Sequence, residues 1–366
     1  MATLERLWVE DFRNIAALEM AFSSNLNVVL GPNGSGKTSF LDAIHVLATG
    51  RSFTGSTASD FIRRGQEKSI VGGHIRNPDG VRASLGVEKT GATTLCRVDG
   101  ESVRSASVLS RHVTVLPLHA RLFQLLDDTP AQRRALLDRV LFHVEPLYLE
   151  TYKRFHRAVQ QRNELLKAGQ RPAEFEFWDE EFLAAGESLN NSRLGCVAHL
   201  NGWLAERHQI LELGTVALAY RSGWKADQTL REALKENRQR ELLVKSTTIG
   251  PHRAELKVLA DQRLARNAVS RGQAKLLTCL LVEAQLAYLE EHGRPTPILL
   301  VDDIAAELDS RSRAIVLPML LKPGRQAFVT AIDFDQVPAD LGNLSLTLFH
   351  VEQGVLSADK PRGTHN

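Results

Sequence analysis

The chain has 366 residues, of which 43% are hydrophobic and 24% are charged, and its formal net charge at pH 7 is only +2. Length and composition are typical of a globular protein of two domains or one two-lobed unit, and no run is long and apolar enough to predict a membrane span, so we expect no membrane partner. Early acidic residues without an apolar signal core, and three widely spaced cysteines without metal-ligand spacing, predict a cytoplasmic rather than a secreted protein. Overall charge gives no argument for nucleic-acid binding, which would need local basic patches.

Three strands and a helix are predicted at the start of the chain. Residues 4–10 and 16–22 suit a pair of strands, and the apolar run at residues 26–30 suits a buried one. Apolar residues after Thr38 fit the buried face of a helix that stops at Gly50. Strand, loop and helix therefore follow in the order that a phosphate-binding loop requires.

The loop between that strand and helix, residues 31–38, reads G-P-N-G-S-G-K-T, a complete G-x-x-x-x-G-K-[ST] motif. Its glycines let backbone N–H groups wrap closely round a phosphate, and the helix N-terminus adds partial positive charge. Lys37 can reach the β- and γ-phosphates as a catalytic residue, and the Thr38 hydroxyl can ligate Mg²⁺. We therefore predict ATP and Mg²⁺ as cofactors, although this loop alone does not identify the reaction. The predicted ATP-binding residues are Gly31, Pro32, Asn33, Gly34, Ser35, Gly36, Lys37, Thr38 and Ser39.

A second β region follows the first helix. Residues 69–76, 81–89 and 94–98 alternate like half-buried strands, and the turn sequences N-P-D-G and D-G separate them. This pattern predicts an antiparallel β region added to a nucleotide-binding core.

A helical block is predicted next. Residues 129–132 form a helix start with a capping box and a proline in the first turn, and the pattern stays mostly helical to about residue 213. The predicted breaks and a further helix lie at Pro146, residues 169–172, Gly195 and residues 227–243.

This helical block carries many basic residues. Contact with a DNA backbone is one interpretation, and a solvated helix face is the other. We favour the second because charge runs usually indicate only that. The residues are Arg133, Arg134, Arg139, Lys153, Arg154, Arg157, Arg162 and Lys167.

After the helical block, residues 246–253 are predicted to return to β structure. Ser270-Arg271-Gly272-Gln273 then precedes a long apolar helix at residues 275–291. Serine at that position suits an N-cap. A hydroxyl, a glycine backbone and a helix N-terminus would equally suit an anion site, and four residues do not decide between the two.

Two carboxylates follow the buried strand predicted at residues 298–301, at the end where parallel sheets place their ligands. Asp302 suits the Mg²⁺ shell, and Asp303 can orient and deprotonate the attacking water as a catalytic residue. Two adjacent acids repel each other without a cation, so a metal-bound site explains them better than a structural one. Later predictions are strands at residues 326–332 and 344–351 and a disordered tail from residue 358.

Seven short motifs occur in a specific joint order. They are Phe12-Arg13-Asn14, residues 31–38, Gly50-Arg51-Ser52-Phe53, Gly250-Pro251-His252-Arg253, Ser270-Arg271-Gly272-Gln273, Leu300-Val301-Asp302-Asp303 and Glu307-Leu308-Asp309. With them the chain closely resembles, nearly end to end, the RecF family of bacterial recombinational-repair ATPases. That family is related to the chromosome-maintenance and ABC-type ATPase heads.

The resemblance implies an α/β fold, a P-loop ABC-type ATPase head with an added antiparallel β region and an inserted mainly helical lobe. It implies an ATPase lobe at residues 1–116 and 295–366, and a helical lobe with the signature motif at residues 117–294.

The resemblance also implies functional roles. Ser270, Arg271, Gly272 and Gln273 match the signature motif that contacts the γ-phosphate of ATP held by a partner subunit, and Asp309 matches the D-loop at the dimer interface. The implied protein is a weak Mg²⁺-dependent ATPase that acts as a switch and dimerises on ATP. It would bind double-stranded DNA and single-strand/double-strand junctions, and work with RecR and RecO to place RecA on gapped DNA.

The nucleotide-binding subunit of an ABC-type transporter is the alternative interpretation. It predicts L-S-G-G-Q in the signature and a histidine near Asp333, and neither is present. A small-molecule P-loop kinase fits the late Asp302-Asp303 pair poorly, and a structural chromosome-maintenance head would need long coiled-coil arms. Residues 116–119 lack the acids that many RecF-like chains carry there, so no Q-loop role is assigned to Gln124.

Overall fold

The computed structural model of the chain describes residues 2–54, 58–91, 93–169, 172–207, 214–337 and 344–358. The chain divides into two units, one formed by Met1–Phe123 with Pro295–Asn366 and the other by Gln124–Arg294. The predicted lobe boundaries, after residues 116 and 294, stay predictions, as do the activities assigned to each lobe.

Both units contain α-helices and strands. The strands are β1 (Thr3–Phe12), β2 (Ile15–Ala21), β3 (Leu26–Leu30), β4 (Lys68–Arg76), β5 (Arg82–Thr90), β6 (Thr94–Val98), β7 (Glu101–Val103), β8 (Val115–Leu118), β9 (Val216–Arg221), β10 (Glu255–Ala260), β11 (Arg263–Leu264), β12 (Ile298–Val301), β13 (Ala327–Ala331), β14 (Leu346–Glu352) and β15 (Val355–Ala358). The α-helices are α1 (Lys37–Thr49), α2 (Pro130–Val144), α3 (Tyr148–Ala168), α4 (Glu176–Arg207), α5 (Leu230–Val244), α6 (Ala265–Ala268), α7 (Arg271–Glu291), α8 (Ile304–Glu307) and α9 (Ser310–Leu320).

The first unit contains an antiparallel sheet in the order β2-β1-β4-β5-β6-β7. Buried and less buried residues alternate along β5, because successive side chains of a strand point to opposite faces. The three strands predicted at residues 69–76, 81–89 and 94–98 are confirmed as β4, β5 and β6.

A second sheet of this unit has the order β15-β14-β3-β13-β12-β8, and it is parallel except for β15. Every residue of β3, β12 and β13 is buried, which is typical of parallel strands covered on both faces. Strands β3, β13 and β12 lie side by side and run parallel, so their carboxyl ends lie at the same end of the sheet. The phosphate loop follows β3 and the two carboxylates follow β12, so both leave the sheet at that end.

Helix α1 packs against strands of both sheets, including β4 and β13. Its buried residues Phe40, Leu41 and Ile44 join one apolar core with side chains from the two sheets. The helix ends at Gly50, as predicted, where φ is 67° and the backbone N–H bonds to the Val46 oxygen. Helix α1, which begins with Lys37 of the phosphate loop, is therefore packed against both sheets.

The second unit is mainly helical, but it also contains an antiparallel sheet in the order β11-β10-β9. The predicted helix break around Gly195 is wrong, since α4 runs through it. A glycine costs a helix interior only about 1 kcal/mol relative to alanine, and burial of Leu189, Cys196 and Leu200 outweighs that cost.

The β structure predicted at residues 246–253 is also wrong. The chain there forms a single 3₁₀ turn at Pro251–Arg253, and β10 begins only at Glu255. Proline has no N–H for a strand ladder, which explains the turn. Strands β8, β9 and β15 are not among the predicted elements. Ala358 ends β15, and the rest of the predicted disordered tail lies outside the described residues.

The basic residues of the helical block do not form one solvated face, which corrects the favoured interpretation. Arg162 is fully buried, and its guanidinium lies 2.8 Å from Asp179 and 2.8 Å from Glu241 and donates to Thr247 Oγ1 at 2.7 Å. Arg133 is likewise buried and pairs with Glu255. These arginines form ion pairs between helices and strands of the second unit. Because both side chains are buried, they cannot belong to a surface that contacts DNA.

None of the helices in the described ranges combines the length and apolarity of a membrane span.

Replacing Arg162 by methionine should destabilise the nucleotide-free protein by about 3–5 kcal/mol, because it leaves Glu241 buried and unpaired. Urea unfolding followed by circular dichroism measures this change. Arg154→Met is the matched control, since Arg154 pairs with Glu181 at the surface and should contribute little. Equal losses in the two variants would contradict the structural role of Arg162.

Candidate nucleotide-binding site

The phosphate loop leaves β3 and enters α1. A Cβ atom on Gly31 would lie 2.4 Å from the Val351 backbone oxygen and 2.7 Å from Ser35 Oγ, so only glycine fits there. Gly34 and Gly36 have φ values of 78° and 118°, in the left-handed region that favours glycine. A side chain at Gly31 would clash with neighbouring atoms, and one at Gly34 or Gly36 would strain the backbone, so the loop conformation depends on these three glycines.

Lys37 begins α1 and is only 6% exposed. Its Nζ donates to the backbone oxygens of Gly31 at 2.7 Å and Pro32 at 3.0 Å, which holds the ammonium group inside the loop. Ser35 is also buried, and its Oγ has no hydrogen-bond partner among the described residues. A buried hydroxyl and a cation inside one glycine loop suit an anion.

Asp302 lies beside the first turn of α1. Thr38 Oγ1 donates to Asp302 Oδ2 at 3.0 Å and to Oδ1 at 3.2 Å. Asp302 directly follows β12, and β13 separates that strand from β3. The structure therefore brings together the two residues predicted to bind Mg²⁺, which are 264 positions apart.

Thr330, on the intervening strand β13, contacts both acids. Its Oγ1 donates to Asp302 Oδ1 at 3.0 Å and accepts from the Asp303 backbone N–H at 2.8 Å. The side chain is fully buried. One hydroxyl thus fixes the side chain of one acid and the backbone of the next, a role that the sequence interpretation missed. Its only sequence signal is a polar residue near the end of a predicted core strand.

Asp303 adopts a left-handed backbone conformation, with φ 44° and ψ 51°. That conformation costs a non-glycine residue about 1–3 kcal/mol. Its Oδ1 is buried and has no hydrogen-bond partner in the described part of the chain, and its side chain does not cap α8. A strained residue with an unpaired carboxylate oxygen suits a catalytic position.

Burial raises the pKa of Asp302 above its ordinary value. Hydrogen bonds from Thr38 and Thr330 oppose this rise, the charge of Asp303 adds to it, and the Lys37 ammonium lowers the pKa again. Without a cation the ionised acid is therefore disfavoured.

The donor set fits Mg²⁺ with a nucleotide. A hydroxyl from Thr38 and a carboxylate from Asp302 are the hard oxygen ligands that Mg²⁺ takes, usually with water and phosphate oxygens. The unpartnered Oδ1 of Asp303 adds an acceptor for a water molecule.

A second missed feature is the ion pair between Arg13 and Asp42. Arg13 Nη2 lies 2.6 Å from Asp42 Oδ2, whose side chain is fully buried, and it donates to Ser52 Oγ at 3.1 Å. The Phe53 N–H donates to Asp42 Oδ1 at 3.0 Å. Burial raises the pKa of Asp42, and the charge of Arg13 opposes the rise. The pair links the segments around Arg13 and Ser52 to helix α1.

The predicted signature residues begin α7, in the second unit. The Gln273 N–H donates to Ser270 Oγ at 3.3 Å, and the Ser270 N–H donates to Gln273 Oε1 at 2.9 Å, so the N-cap interpretation of Ser270 is confirmed. Arg271 and Gly272 are exposed in the first turn. Contact with a partner's ATP stays a prediction.

Asp309, the predicted D-loop residue, caps α9. It accepts from the Ser312 N–H at 2.7 Å, and this hydrogen bond lowers the pKa of Asp309. Its place at a dimer interface stays a prediction.

Similarity to known proteins extends over nearly the whole chain. Residues 3–108 match the family described as RecF/RecN/SMC N terminal domain. The chain is 35% identical over 355 residues to the DNA replication and repair protein RecF of Vibrio vulnificus, and the match covers 96% of this chain and 99% of the relative.

Two solved structures share the fold. The recombination mediator protein RecF with ATP in the RecFOR pathway gives a TM-score of 0.85 at 23% identity and covers 98% of both chains. The Smc head domain derived from Pyrococcus furiosus and bound to the C-terminal domain of ScpA gives 0.60 at 16% identity, covering 98% of this chain and 96% of that one. The predicted ABC-type ATPase head fold is confirmed.

Thr330→Val should lower ATP hydrolysis by about tenfold to a hundredfold while ATP binding changes little, because Asp302 and Asp303 lose the hydroxyl that positions them. Single-turnover hydrolysis and nucleotide titration separate the two effects. Thr330→Ser keeps the hydroxyl and is the matched control. A valine variant with full hydrolysis, or a serine variant as slow as valine, would refute the positioning role.

Mg²⁺-dependent ATP binding should weaken on acidification at a higher pH than for an ordinary aspartate. The pKa of Asp302 is raised, so the carboxylate is protonated, and lost as a ligand, as pH falls through that raised value. The ligand-free fold should respond with the opposite sign, losing stability as pH rises through the same window. Titrations with and without Mg²⁺ across mildly acidic pH measure the first effect, and Asp302→Asn should remove the Mg²⁺-dependent part. Identical pH profiles with and without Mg²⁺ would exclude Asp302 as the ligand.

Proposed function

Because the chain belongs to the RecF family, we propose that it is an ATP-switched DNA-binding protein of DNA replication and repair. The relatives that it matches over nearly their full length are named DNA replication and repair protein RecF.

The observation that carries this proposal is the meeting of Lys37, Thr38, Asp302 and Asp303 at one edge of the parallel sheet. When bound, ATP supplies the γ-phosphoryl group, and Mg²⁺ supplies positive charge that neutralises it. Lys37 would turn from its carbonyl partners to the terminal phosphates. Thr38 and Asp302 would hold the metal, directly or through water.

Asp303 would orient a water molecule and accept its proton through the carboxylate oxygen that lacks a partner. An aspartate is one carbon shorter than a glutamate, so the carboxylate reaches less far toward a water on the γ-phosphate. We expect slow turnover, at roughly one per second or less, as suits a switch rather than a metabolic enzyme.

The signature residues would act on a second chain's nucleotide. Helix α7 is 21 residues long, and the exposed backbone of Gly272 leaves its N-terminus open. A helix N-terminus attracts phosphate through unpaired N–H groups and partial positive charge. ATP would then join two chains around a two-fold axis, with Asp309 at their interface.

Dimerisation would bring two copies of any basic surface side by side and so raise DNA affinity without new contacts per subunit. Much of that affinity should be phosphate attraction, which falls steeply with salt. We propose double-stranded DNA and single-strand/double-strand junctions as the targets, and RecR and RecO as partners that help place RecA on gapped DNA.

The alternative, the nucleotide-binding subunit of a transporter, has less support. The signature reads Ser270-Arg271-Gly272-Gln273 instead of L-S-G-G-Q, and Asp333 replaces a switch histidine. Full-length similarity to RecF proteins favours the DNA-binding function.

Ser270→Arg should leave ATP binding by the monomer nearly intact and remove ATP-dependent dimerisation and ATP-stimulated DNA binding. The substitution puts bulk and charge where the helix N-terminus would meet the γ-phosphate. Sedimentation with and without ATP measures dimerisation, and fluorescence anisotropy with duplex DNA measures binding.

Thr129→Arg is the matched control, because Thr129 also caps a helix of the second unit and is exposed. Each variant loses an N-cap, which costs about 0.5–2 kcal/mol, and gains the same charge. Dimerisation of Ser270→Arg with ATP, or its loss in both variants, would overturn the composite-site mechanism.

A further inference from the structure

A histidine follows the edge strand of the parallel sheet, next to the acids of the nucleotide site. Strands β8 and β12 are neighbours and pair in parallel register up to Leu118 and Val301. The Asp302 N–H donates to the Leu118 oxygen at 2.9 Å, which carries the pairing one residue further. His119 directly follows Leu118, so it leaves the sheet beside Asp302.

The His119 side chain lies on the same face of the sheet as the Asp302 carboxylate. Successive residues of a strand point to opposite faces, so His119 shares its face with Val115, and Asp302 shares its face with Ile298. Val115 and Ile298 belong to the one apolar core that includes buried residues of α1. The contact of the His119 ring with Phe53, whose ring centroid is 5.0 Å away, agrees with this face.

Phe53 is in turn fixed to α1, and so it holds the ring of His119 in place. Its N–H donates to Asp42 Oδ1 at 3.0 Å, and its ring lies edge-on to the ring of His45 at 5.5 Å. Asp42 and His45 follow Thr38 by four and seven residues, which places the three on one face of the helix. The helix that presents Thr38 to Asp302 therefore also positions Phe53.

The strand order indicates which part of a nucleotide His119 can reach. The phosphate loop follows β3, the acids follow β12 and His119 follows β8, and the spatial order is β3-β13-β12-β8. The acids thus lie between the loop and His119. Thr38 and Asp302 are placed for a metal between the β- and γ-phosphates. A group on the far side of Asp302 is therefore placed for the terminal phosphate rather than for the base.

The imidazole of His119 suits a phosphate oxygen better than a metal ion. No group of three or more His, Cys, Asp or Glu side chains in the described ranges could hold a metal ion, so we do not assign the ring as a ligand. A neutral imidazole carries one N–H donor and a charged one carries two, so it can donate in either state. Hydrogen bonds to charged groups are the stronger class.

Packing against Phe53 is the competing role for His119. The four residues of β8 are all buried, and an apolar side chain would continue that core. His119 is only half-buried and carries a polar ring at the end of the sheet where parallel strands place their ligands. A phenylalanine in its place would keep the packing and lose the N–H, so the two roles can be separated.

We propose that His119 distinguishes ATP from ADP, by donating an imidazole N–H to the terminal phosphate of ATP while its ring is held on Phe53. This inference rests on the proposed ATP switch and deepens it, because it names a residue through which the site responds to the γ-phosphate. It also gives a role to the Gly50-Arg51-Ser52-Phe53 motif, which supplies the ring that holds His119.

The test compares the affinities of the full chain for ADP and for a non-hydrolysable ATP analogue, both mant-labelled and with Mg²⁺, by fluorescence titration. Protein concentrations are kept where sedimentation shows a monomer. His119→Phe should weaken binding of the ATP analogue by about tenfold or more and leave ADP binding unchanged, because one hydrogen bond to a charged group is lost. His119→Gln carries an amide N–H and should recover most of that loss.

His112→Phe is the matched control. His112 is also half-buried and lies just before β8 begins, at the opposite end of the strand from His119. Its replacement should leave both affinities unchanged. Circular dichroism melting identifies a variant that does not fold, and His119→Gln and the wild-type spectra described next then decide the outcome.

Nuclear magnetic resonance of the imidazole nitrogens gives a readout that depends on neither affinity nor turnover. The His119 signal is identified by its absence from the His119→Gln spectrum. It should shift when the ATP analogue binds and stay in place with ADP, whereas the His112 signal should stay in place with both.

The expected result is a loss confined to the ATP analogue, with a shift of the His119 signal. Full affinity of His119→Phe for the analogue would overturn the inference, and so would equal losses for both nucleotides or a His119 signal that responds equally to both. Nucleotide affinity is measured on the monomer, so it can be tested even if dimerisation or DNA binding fails. Conversely, a wild-type chain that dimerises and binds DNA with ATP keeps the proposed function even if His119 has no effect.

Discussion

The hydrogen bonds at the end of β13 hold the two halves of the nucleotide site together. The Ala331 oxygen accepts from the Gly31 N–H at 3.2 Å, which anchors the phosphate loop. One residue earlier, Thr330 bonds to Asp302 and to the backbone of Asp303. The loop and the acids come from sequence segments far apart, so their distance from each other depends on this one strand. Its five residues are all buried, which leaves the edge little freedom to shift.

The local parts of this site could be predicted from sequence, because each depends on a short run of residues. The loop at residues 31–38, its flanking strand and helix, and the acids after β12 all carry their own pattern. Thr330 could not be found in this way, because nothing near it in sequence shows that β13 pairs between β3 and β12. The Arg13–Asp42 pair was missed for the same reason, since its partners are joined only by the fold.

The second unit shows where sequence patterns mislead. Charge along a helix predicts a solvated face, yet Arg162 is fully buried because Asp179 and Glu241 reach it from other helices. Glycine predicts a helix break, yet α4 continues through Gly195 because its neighbours are packed. In both cases tertiary contacts that the sequence does not display outweigh a local preference of about 1 kcal/mol or less.

In the nucleotide-free site, Asp302 and Asp303 are both in energetically unfavourable states, and a bound cation would relieve the electrostatic part of that cost. Burial and the neighbouring Asp303 disfavour the ionised form of Asp302, and Asp303 itself holds a left-handed backbone with an unpaired buried oxygen. Mg²⁺ reverses the sign of the electrostatic contribution, because it favours the same ionised carboxylates that burial disfavours. Because Thr330 is hydrogen-bonded to the Asp302 side chain and to the Asp303 backbone, the two acids are held close to each other. With β13 buried, Thr330 keeps the two acids adjacent, and that arrangement would favour a bound cation over an empty site.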